Sequence, residues 1–165
     1  MLDRGDEAPT FTAPMANGDI EAFSLSEALE DGPVVLAFFP GAFTSTCTTE
    51  LCTFRDRLGA FEDVDATVVG ISADTPFSLN EFRSKQGLNF GLVSDAADEI
   101  SAAYGVGSDL SELGVPGADP GEVTIPQRSV FVVDPSGTIT YAWAGDTPTV
   151  EPNYDDVQAA AVDAA

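Results

Sequence analysis

The chain has 165 residues, 44% of them apolar, and its 28 acidic side chains outnumber the six basic ones to give a net charge of −22. This charge argues against nucleic acid or an anionic membrane surface as a partner. The length and the apolar content favour a single folded domain over residues 1–165 and argue against a disordered chain.

The first residues and the cysteines indicate a compartment. The opening Met-Leu-Asp-Arg-Gly-Asp lacks the apolar core of a signal peptide, and no apolar run reaches membrane-spanning length. We therefore expect a cytoplasmic protein. Two cysteines in such a compartment are more often catalytic or redox-active than a structural disulfide.

The N-terminal quarter of the chain predicts a hairpin, a short helix and a buried strand. Asn17-Gly18-Asp19 lies between two β-like runs within residues 10–25, which is a strong hairpin signal. Residues 26–29 are typical of a single helical turn. The continuous apolar run Val34–Phe39 predicts a strand that is buried on both faces, and Pro40-Gly41 ends it.

The residues after this strand predict a helix with a cysteine in its first turn. Thr44, Ser45 and Thr46 can each serve as the N-cap, because their hydroxyl oxygens accept from free backbone N–H groups. With Thr44 as the N-cap, Cys47 takes the N3 position. We expect the helix to end near residues 58–59. Its apolar positions, which should face a sheet, are Leu51, Phe54 and Leu58.

The segment from residue 66 to residue 104 alternates strands with helices, which indicates an α/β fold with parallel crossovers. The predicted elements are a strand at 66–72, a helix at 75–86 that Gly87 ends, a strand at 91–94 and a helix at 96–104 that Asp95 caps.

The C-terminal third begins with a long Gly- and Pro-rich loop at residues 105–127. A loop of this length is often functional, and it leads directly to Arg128, so it can form a wall of an active site. A solvated insertion explains the loop equally well. An antiparallel hairpin is then predicted at residues 129–143, and a helix with Asn153 as its cap follows to the end of the chain.

Cys47 has the chemistry of a candidate nucleophile. The thiolate is the reactive form of cysteine, and an ordinary thiol is only a few per cent ionised at neutral pH. Unpaired N–H groups and the positive end of the helix dipole stabilise an anion in the first turn of a helix. The alternative is that Cys47 is a small buried apolar side chain, which is common for free cysteines.

A resemblance to a known protein family favours the interpretation of Cys47 as a nucleophile. The pattern Pro40-x-x-x-Thr44-x-x-Cys47, preceded by Phe38-Phe39, resembles the active-site signature of the peroxiredoxins. The run from Cys47 to Asp56 is similar to the bacterioferritin-comigratory (PrxQ) and AhpE-like branch. Arg128-Ser-Val-Phe-Val-Val-Asp134 resembles the arginine-plus-strand element of that family. With an N-terminal hairpin that also matches, the resemblance covers residues 6–144.

The resemblance implies a thioredoxin-like fold, in which a central mixed β-sheet is flanked by helices and preceded by an N-terminal β-hairpin. It also implies a thiol peroxidase that reduces hydrogen peroxide and organic hydroperoxides. In this role Cys47 is the peroxidatic cysteine that becomes a sulfenic acid, Thr44 aligns the peroxide, and Arg128 polarises it. Pro40 shields the sulfur from water, and Glu50 is a candidate member of the hydrogen-bond network.

Each of the supporting residues also has an ordinary structural interpretation. Arg128 can be a surface arginine at the start of a strand. Pro40 can be a strand terminator, and Glu50 can be an exposed first-turn glutamate that the helix dipole favours.

The resemblance gives Cys52 the role of the resolving cysteine, which forms a disulfide with Cys47 that a thioredoxin-like dithiol protein reduces. On an intact helix the two Cα atoms are roughly 8.6 Å apart. A disulfide tolerates at most about 6.8 Å, so the bond requires the first helical turns to unwind. The alternative is that Cys52 belongs to the core and an external thiol resolves Cys47.

Two other functions stay open at this point: a redox sensor or holdase with the same fold, and an inert thioredoxin-like module. We expect no cofactor, because the chain has no histidine and two cysteines cannot complete a zinc site. No phosphate-binding loop is present either. We expect a monomer or a homodimer.

The charge suggests an origin. A chain with a net charge of −22 repels itself in dilute buffer, where the Debye length is about 30 Å at 0.01 M salt. The Debye length falls to about 3 Å at 1 M salt. We therefore hypothesise a halophilic protein that works in concentrated salt, as the proteins of haloarchaea do.

Overall fold

The computed structural model describes every residue from Met1 to Ala165. The strands are β1 (Thr12–Asn17), β2 (Asp19–Ser24), β3 (Val34–Phe38), β4 (Thr67–Ser72), β5 (Gly91–Ser94), β6 (Gly107–Asp109), β7 (Thr124–Pro126), β8 (Ser129–Val133) and β9 (Ile139–Ala144). The helices are α1 (Leu25–Ala28), α2 (Ser45–Glu62), α3 (Pro76–Gln86), α4 (Glu99–Tyr104) and α5 (Tyr154–Ala164), and a 3₁₀ helix spans Leu110–Leu113.

Seven strands form one mixed sheet in the order β2-β1-β5-β4-β3-β8-β9. The neighbours β3, β4 and β5 are parallel, as the strand–helix alternation predicted. The strand β1 is antiparallel to β5, and β8 is antiparallel to β3. The predicted hairpins are present as β1–β2 and β8–β9, with Asn17 paired to Asp19 across the first turn.

The sheet separates two hydrophobic cores, because successive side chains of a strand point to opposite faces. Val35 and Ala37 of β3, with Phe39 directly after the strand, face the core beneath α2, α3 and α5. The alternate residues Val34, Leu36 and Phe38 face the core beneath α1 and α4. All six side chains are fully buried, which explains why β3 is continuously apolar in the sequence.

The predicted helices are present, and two of their boundaries were wrong. The helix α2 continues past Gly59 to Glu62, because the fully buried Phe61 extends its apolar face. The helix α4 begins at Glu99 instead of residue 96. The carboxylate of Asp95 still accepts the N–H groups of Ile100 and Ser101, but residues 96–98 form a turn that brings it there.

The helix α3 has the predicted ends. Thr75 is its N-cap and accepts from the Ser78 N–H, and Pro76 occupies the first helical position. Gly87 ends the helix in the left-handed conformation, with φ of 61°, which glycine adopts without strain.

The predicted loop at residues 105–127 contains more structure than its sequence indicated. The strands β6 and β7 pair as a separate two-stranded sheet, and the 3₁₀ helix lies between them. Asp109 holds the segment together, because its carboxylate accepts from Ser111 and from the Gly121 N–H. None of the helices combines the length and the apolarity that crossing a bilayer requires.

Candidate active site

The sheet topology brings the predicted site residues to one end of the inner strands β3 and β8. Phe38, at the end of β3, pairs with Ser129, at the start of the antiparallel strand β8. Pro40 and Arg128 flank this pair and therefore lie at the same end of the two strands. The connection from β3 to α2 then places Cys47 in the first turn of a helix at this end.

The start of α2 matches the prediction for Cys47. Thr44 is the N-cap, so Cys47 is N3. The first backbone bond of the helix runs from the Thr48 N–H to the Thr44 carbonyl. The N–H groups of Ser45, Thr46 and Cys47 therefore have no partner within the helix, and they give this end its positive potential.

The Thr44 side chain does not cap the helix that its backbone begins. Its hydroxyl donates to the Gly41 carbonyl at 2.8 Å, and it accepts no bond from an N–H of α2. The residue is exposed, three positions before Cys47. Its oxygen lone pairs therefore remain available to an incoming ligand.

Arg128 is buried and binds the Cys47 thiol. The arginine is only 2% exposed, and its Nη2 donates to the Cys47 Sγ at 3.0 Å. Its Nε and Nη2 also donate to the Pro148 carbonyl at 3.1 and 2.9 Å, which fixes the plane of the guanidinium. The interpretation of Arg128 as a surface arginine was therefore wrong.

Glu50 is fully buried beside the same guanidinium, so its interpretation as an exposed first-turn residue was also wrong. Its Oε1 lies 3.4 Å from the Arg128 Nη1, and neither carboxylate oxygen has a hydrogen-bond partner. Burial raises the pKa of Glu50 to about 7, although the charge of Arg128 acts in the opposite direction.

Arg128 thus contacts two acidic groups, the Cys47 thiol and the Glu50 carboxyl. Burial lowers its pKa, but the nearby charge of Glu50 and the hydrogen bond to Cys47 outweigh burial and raise the pKa above its ordinary value. When Glu50 is protonated, Cys47 is the remaining acidic group in contact with the guanidinium. The Glu50 proton therefore determines how much of the arginine charge is available to the sulfur.

Pro40 and Arg128 line a cavity of about 130 Å³. The predicted loop contributes Ser108, Leu113 and Pro126 to its wall, as the prediction for residues 105–127 allowed. A larger cavity of about 440 Å³ lies between β1 and α4, and neither cysteine lines it. Neither cysteine lines the small cavity either, so Arg128 is the residue that connects this cavity to the Cys47 thiol.

The model of the AhpC/TSA family matches residues 4–142. The chain is a member of this family, the peroxiredoxins. A Mycobacterium tuberculosis protein that is named as a peroxiredoxin is 41% identical over 141 residues, which cover 86% of this chain and 84% of that protein. The chloroplastic peroxiredoxin Q of Oryza sativa subsp. japonica is 34% identical over 142 residues, which cover 86% of this chain and 59% of the rice protein.

The structural comparison confirms the thioredoxin-like peroxiredoxin fold that the resemblance implied. The crystal structure of peroxidoxin BcpB from Mycobacterium tuberculosis matches with a TM-score of 0.79 and 31% sequence identity, and the match covers 97% of this chain and 96% of that one. As a peroxiredoxin, the chain is a thiol peroxidase.

Two groups that position residues at the site of this peroxiredoxin were not predicted from the sequence. One is the Pro148 carbonyl, a backbone oxygen in a loop, for which no sequence signal exists. The other is Asp74, whose carboxylate accepts from the Ala42 N–H at 2.9 Å and from the Ser72 hydroxyl at 2.7 Å. Its position directly after a buried strand was a usable signal, because loops at this end of parallel strands line the crevice of the sheet.

The second cysteine of the peroxiredoxin is not in contact with the first. Cys47 and Cys52 both lie on the continuous helix α2, and both are free. Cys52 is half-buried, and its Sγ lies 3.8 Å from the Gln86 side chain on α3. The helix geometry therefore keeps the two sulfurs apart, as calculated from the sequence. No group of three or more His, Cys, Asp or Glu side chains is arranged to hold a metal ion.

Proposed function

We propose that this peroxiredoxin reduces hydrogen peroxide and organic hydroperoxides through Cys47. The Cys47 thiolate attacks one peroxide oxygen, the O–O bond breaks, and the other oxygen leaves with a proton as water or an alcohol. Cys47 becomes a sulfenic acid. The observation that carries the proposal is the 3.0 Å contact between the Arg128 Nη2 and the Cys47 Sγ at a buried helix start.

The surrounding residues have separate roles in this step. Arg128 stabilises the thiolate and donates to the oxygen on which charge develops, because a guanidinium offers several N–H donors and stays charged. The Thr44 hydroxyl orients the peroxide, supported by its free lone pairs and its exposure. Pro40 keeps water from the sulfur. Glu50 acts on Arg128 and not on the peroxide.

We propose that Cys52 resolves the sulfenic acid. The Cys52 thiolate attacks the Cys47 sulfur, hydroxide leaves and takes a proton, and a disulfide forms. The intact helix α2 separates the two Cα atoms by roughly 8.6 Å, so its first turns must unwind before the bond can close. A thioredoxin-like dithiol protein then reduces the disulfide, and the cycle needs no metal or organic cofactor.

Several wider properties belong to the same proposal. The whole chain acts as one domain, as a monomer or a homodimer, in a reducing cytoplasm where its two cysteines stay available for redox chemistry. The net charge of −22 supports a halophilic enzyme, as in haloarchaea, because concentrated salt screens the repulsion between acidic side chains.

The test is peroxide turnover in 2 M KCl by the wild type, Cys47→Ser and Cys52→Ser, with either thioredoxin or a small thiol as the reductant. We expect Cys47→Ser to be inactive with both reductants. Cys52→Ser should fail with thioredoxin and recover with the small thiol. Normal turnover of Cys52→Ser with thioredoxin would contradict the resolving role and leave a one-cysteine peroxidase that an external thiol resolves.

Peptide mapping of the oxidised wild type provides an independent measurement. A Cys47–Cys52 disulfide is expected after one equivalent of peroxide. Amide exchange should then show lost protection at the start of α2 in the oxidised protein only. Equal protection in the reduced and oxidised forms would contradict the unwinding step.

A further inference from the structure

An exposed patch between α2 and the end of α3 is not explained by the peroxidase chemistry. We call it the α2–α3 patch, and its members are Phe43, Cys52, Arg55, Lys85 and Gln86. Gln86 joins its parts: its side chain lies 3.8 Å from the Cys52 Sγ, and its carbonyl accepts from the Arg55 Nη1 at 2.5 Å. Lys85 completes the patch with its Nζ 6.0 Å from the centre of the Phe43 ring.

Phe43 is the apolar centre of the patch. The residue is 55% exposed although it lies four positions before the buried Cys47. Its φ angle is 65°, in the left-handed region that a bulky side chain rarely adopts. One edge of its ring packs on Phe82, at 5.1 Å between ring centres, and the rest faces solvent. A strained, exposed aromatic ring beside a reactive cysteine is typical of a contact residue for a partner.

The patch is also unusual in its charge. The whole chain has 28 acidic and six basic side chains, but the patch has two bases, Arg55 and Lys85. Their acidic neighbours are Asp56, which is 2.9 Å from Arg55, and Glu81, which is 3.9 Å from Lys85. Two bases against two acids leave this area locally neutral. A partner with an acidic surface therefore meets less repulsion at this neutral area than the net charge of −22 implies for the chain as a whole.

Cys52 identifies the kind of partner. It is the half-buried cysteine of the pair, and it lies at the inner edge of the patch, whereas Cys47 is only 1% exposed. A protein that docks on Phe43 and Lys85 can thus reach the Cys52 sulfur, which is the more exposed of the two cysteine sulfurs. Lys85 and Gln86 lie on α3, outside the turns of α2 that the disulfide requires to unwind.

We propose that the α2–α3 patch is the docking site of an acidic, thioredoxin-like dithiol protein that reduces the enzyme. The proposal rests on the two-cysteine cycle proposed above. The first thiolate of the partner attacks the Cys52 sulfur, the Cys47–Cys52 bond breaks, and Cys47 leaves as a thiolate that Arg128 stabilises. The second thiolate of the partner then attacks the partner's first sulfur, which is bonded to Cys52 in the mixed disulfide. The partner's own disulfide forms, and Cys52 is released and takes up a proton. The enzyme gains two electrons, and the partner dithiol becomes a disulfide.

Two variants probe the patch without changing the reactive groups. Phe43→Asn removes the ring and keeps the backbone, because asparagine tolerates the left-handed conformation. Lys85→Glu reverses a charge that is exposed on α3. Arg4→Glu is the matched control, because it makes the same change in net charge at an exposed position near Tyr141 and Asp156, beside the terminal strand β9 of the sheet.

The experiment measures the reduction of the preformed disulfide by a recombinant thioredoxin of negative net charge, and separately by dithiothreitol. Oxidation by hydrogen peroxide is followed in parallel. We expect Phe43→Asn and Lys85→Glu to lower kcat/KM for thioredoxin at least tenfold. Reduction by dithiothreitol and oxidation by peroxide should stay within twofold of the wild type, and Arg4→Glu should resemble the wild type in all three. Raising KCl from 0.2 to 2 M should diminish the Lys85→Glu effect and preserve that of Phe43→Asn.

Unchanged reduction by thioredoxin in both variants would overturn the proposal and leave the two-cysteine cycle intact. An equal loss with dithiothreitol would also overturn it, because the change would then act on the disulfide and not on docking. A wild-type dimer in sedimentation that both variants dissociate would make the patch an interface between copies of this chain. If the wild type forms no disulfide, the proposed cycle fails, and the docking site fails with it.

Discussion

Replacing Glu50 by glutamine should stabilise the folded protein at alkaline pH. The folded environment raises the pKa of Glu50 from its ordinary 4.5 to about 7, chiefly through burial. The neutral carboxyl is therefore the form that the folded state prefers. Its contribution to stability is complete below pH 4.5 and is lost as the pH rises to about 7.

The size of the effect follows from the same pKa values. A rise from 4.5 to about 7, at about 1.4 kcal/mol per pH unit, corresponds to about 3 kcal/mol in the free energy of unfolding. Most of this, about 2.5 kcal/mol, falls between pH 5 and pH 8. Glutamine has nearly the same shape as the neutral carboxyl and cannot ionise. The free energy of unfolding of Glu50→Gln should therefore not show this loss between pH 5 and pH 8.

The assay is urea unfolding of the reduced wild type and Glu50→Gln at pH 5 and pH 8 in constant 2 M KCl. This range avoids the isoelectric point near pH 4.1. Glu62→Gln, an exposed substitution on the same helix, is the matched control. The stability difference between Glu50→Gln and the wild type should grow by about 2.5 kcal/mol from pH 5 to pH 8, and that of the control should not change. A constant difference would refute the reasoning and show that Glu50 stays ionised beside Arg128.

Three further substitutions test other parts of the structure. Arg128→Lys keeps the charge but loses the guanidinium fork, so stopped-flow oxidation of Cys47 should slow by about 10²–10³-fold, and a rate within twofold of the wild type would contradict its role. Asn153→Ala removes the side chain that accepts two N–H groups at the start of α5 and should cost about 1 kcal/mol in urea unfolding. Gly70→Ala would put a Cβ 2.7 Å from the Leu92 Cδ2 and should cost about 1–3 kcal/mol, whereas an unchanged midpoint would show that this contact relaxes.

The position of Cys47 in the first turn of α2 could be predicted because its determinants are local. An apolar strand, a Pro-Gly break and a hydroxyl-rich cap precede Cys47 directly, and each signal concerns neighbouring residues. The same is true of the helix from Thr75 to Gly87, whose N-cap, first-turn proline and terminal glycine all lie in the sequence where the structure has them.

The environment of Cys47 could not be predicted from local sequence patterns. Glu50 was expected to be an exposed first-turn residue, but with Thr44 as the N-cap it lies in the second turn, and the packing of α2 against the sheet buries it beside Arg128. The guanidinium is held by the Pro148 carbonyl, and no side chain at that position signals this contact. The predicted start of α4 was wrong because a turn at residues 96–98 separates Asp95 from the helix whose N–H groups it accepts.

The central claim is that Cys47 is an activated thiol, and its rate of oxidation is the most direct test. Stopped-flow measurement on reduced Cys52→Ser, which has Cys47 as its only thiol, gives the second-order rate constant with hydrogen peroxide in 2 M KCl. We predict a rate constant at least about 10²–10³ times that of free cysteine at the same pH. A rate no faster than that of free cysteine would contradict the claim, because the arginine and the helix start would then leave the sulfur no more reactive than it is in water.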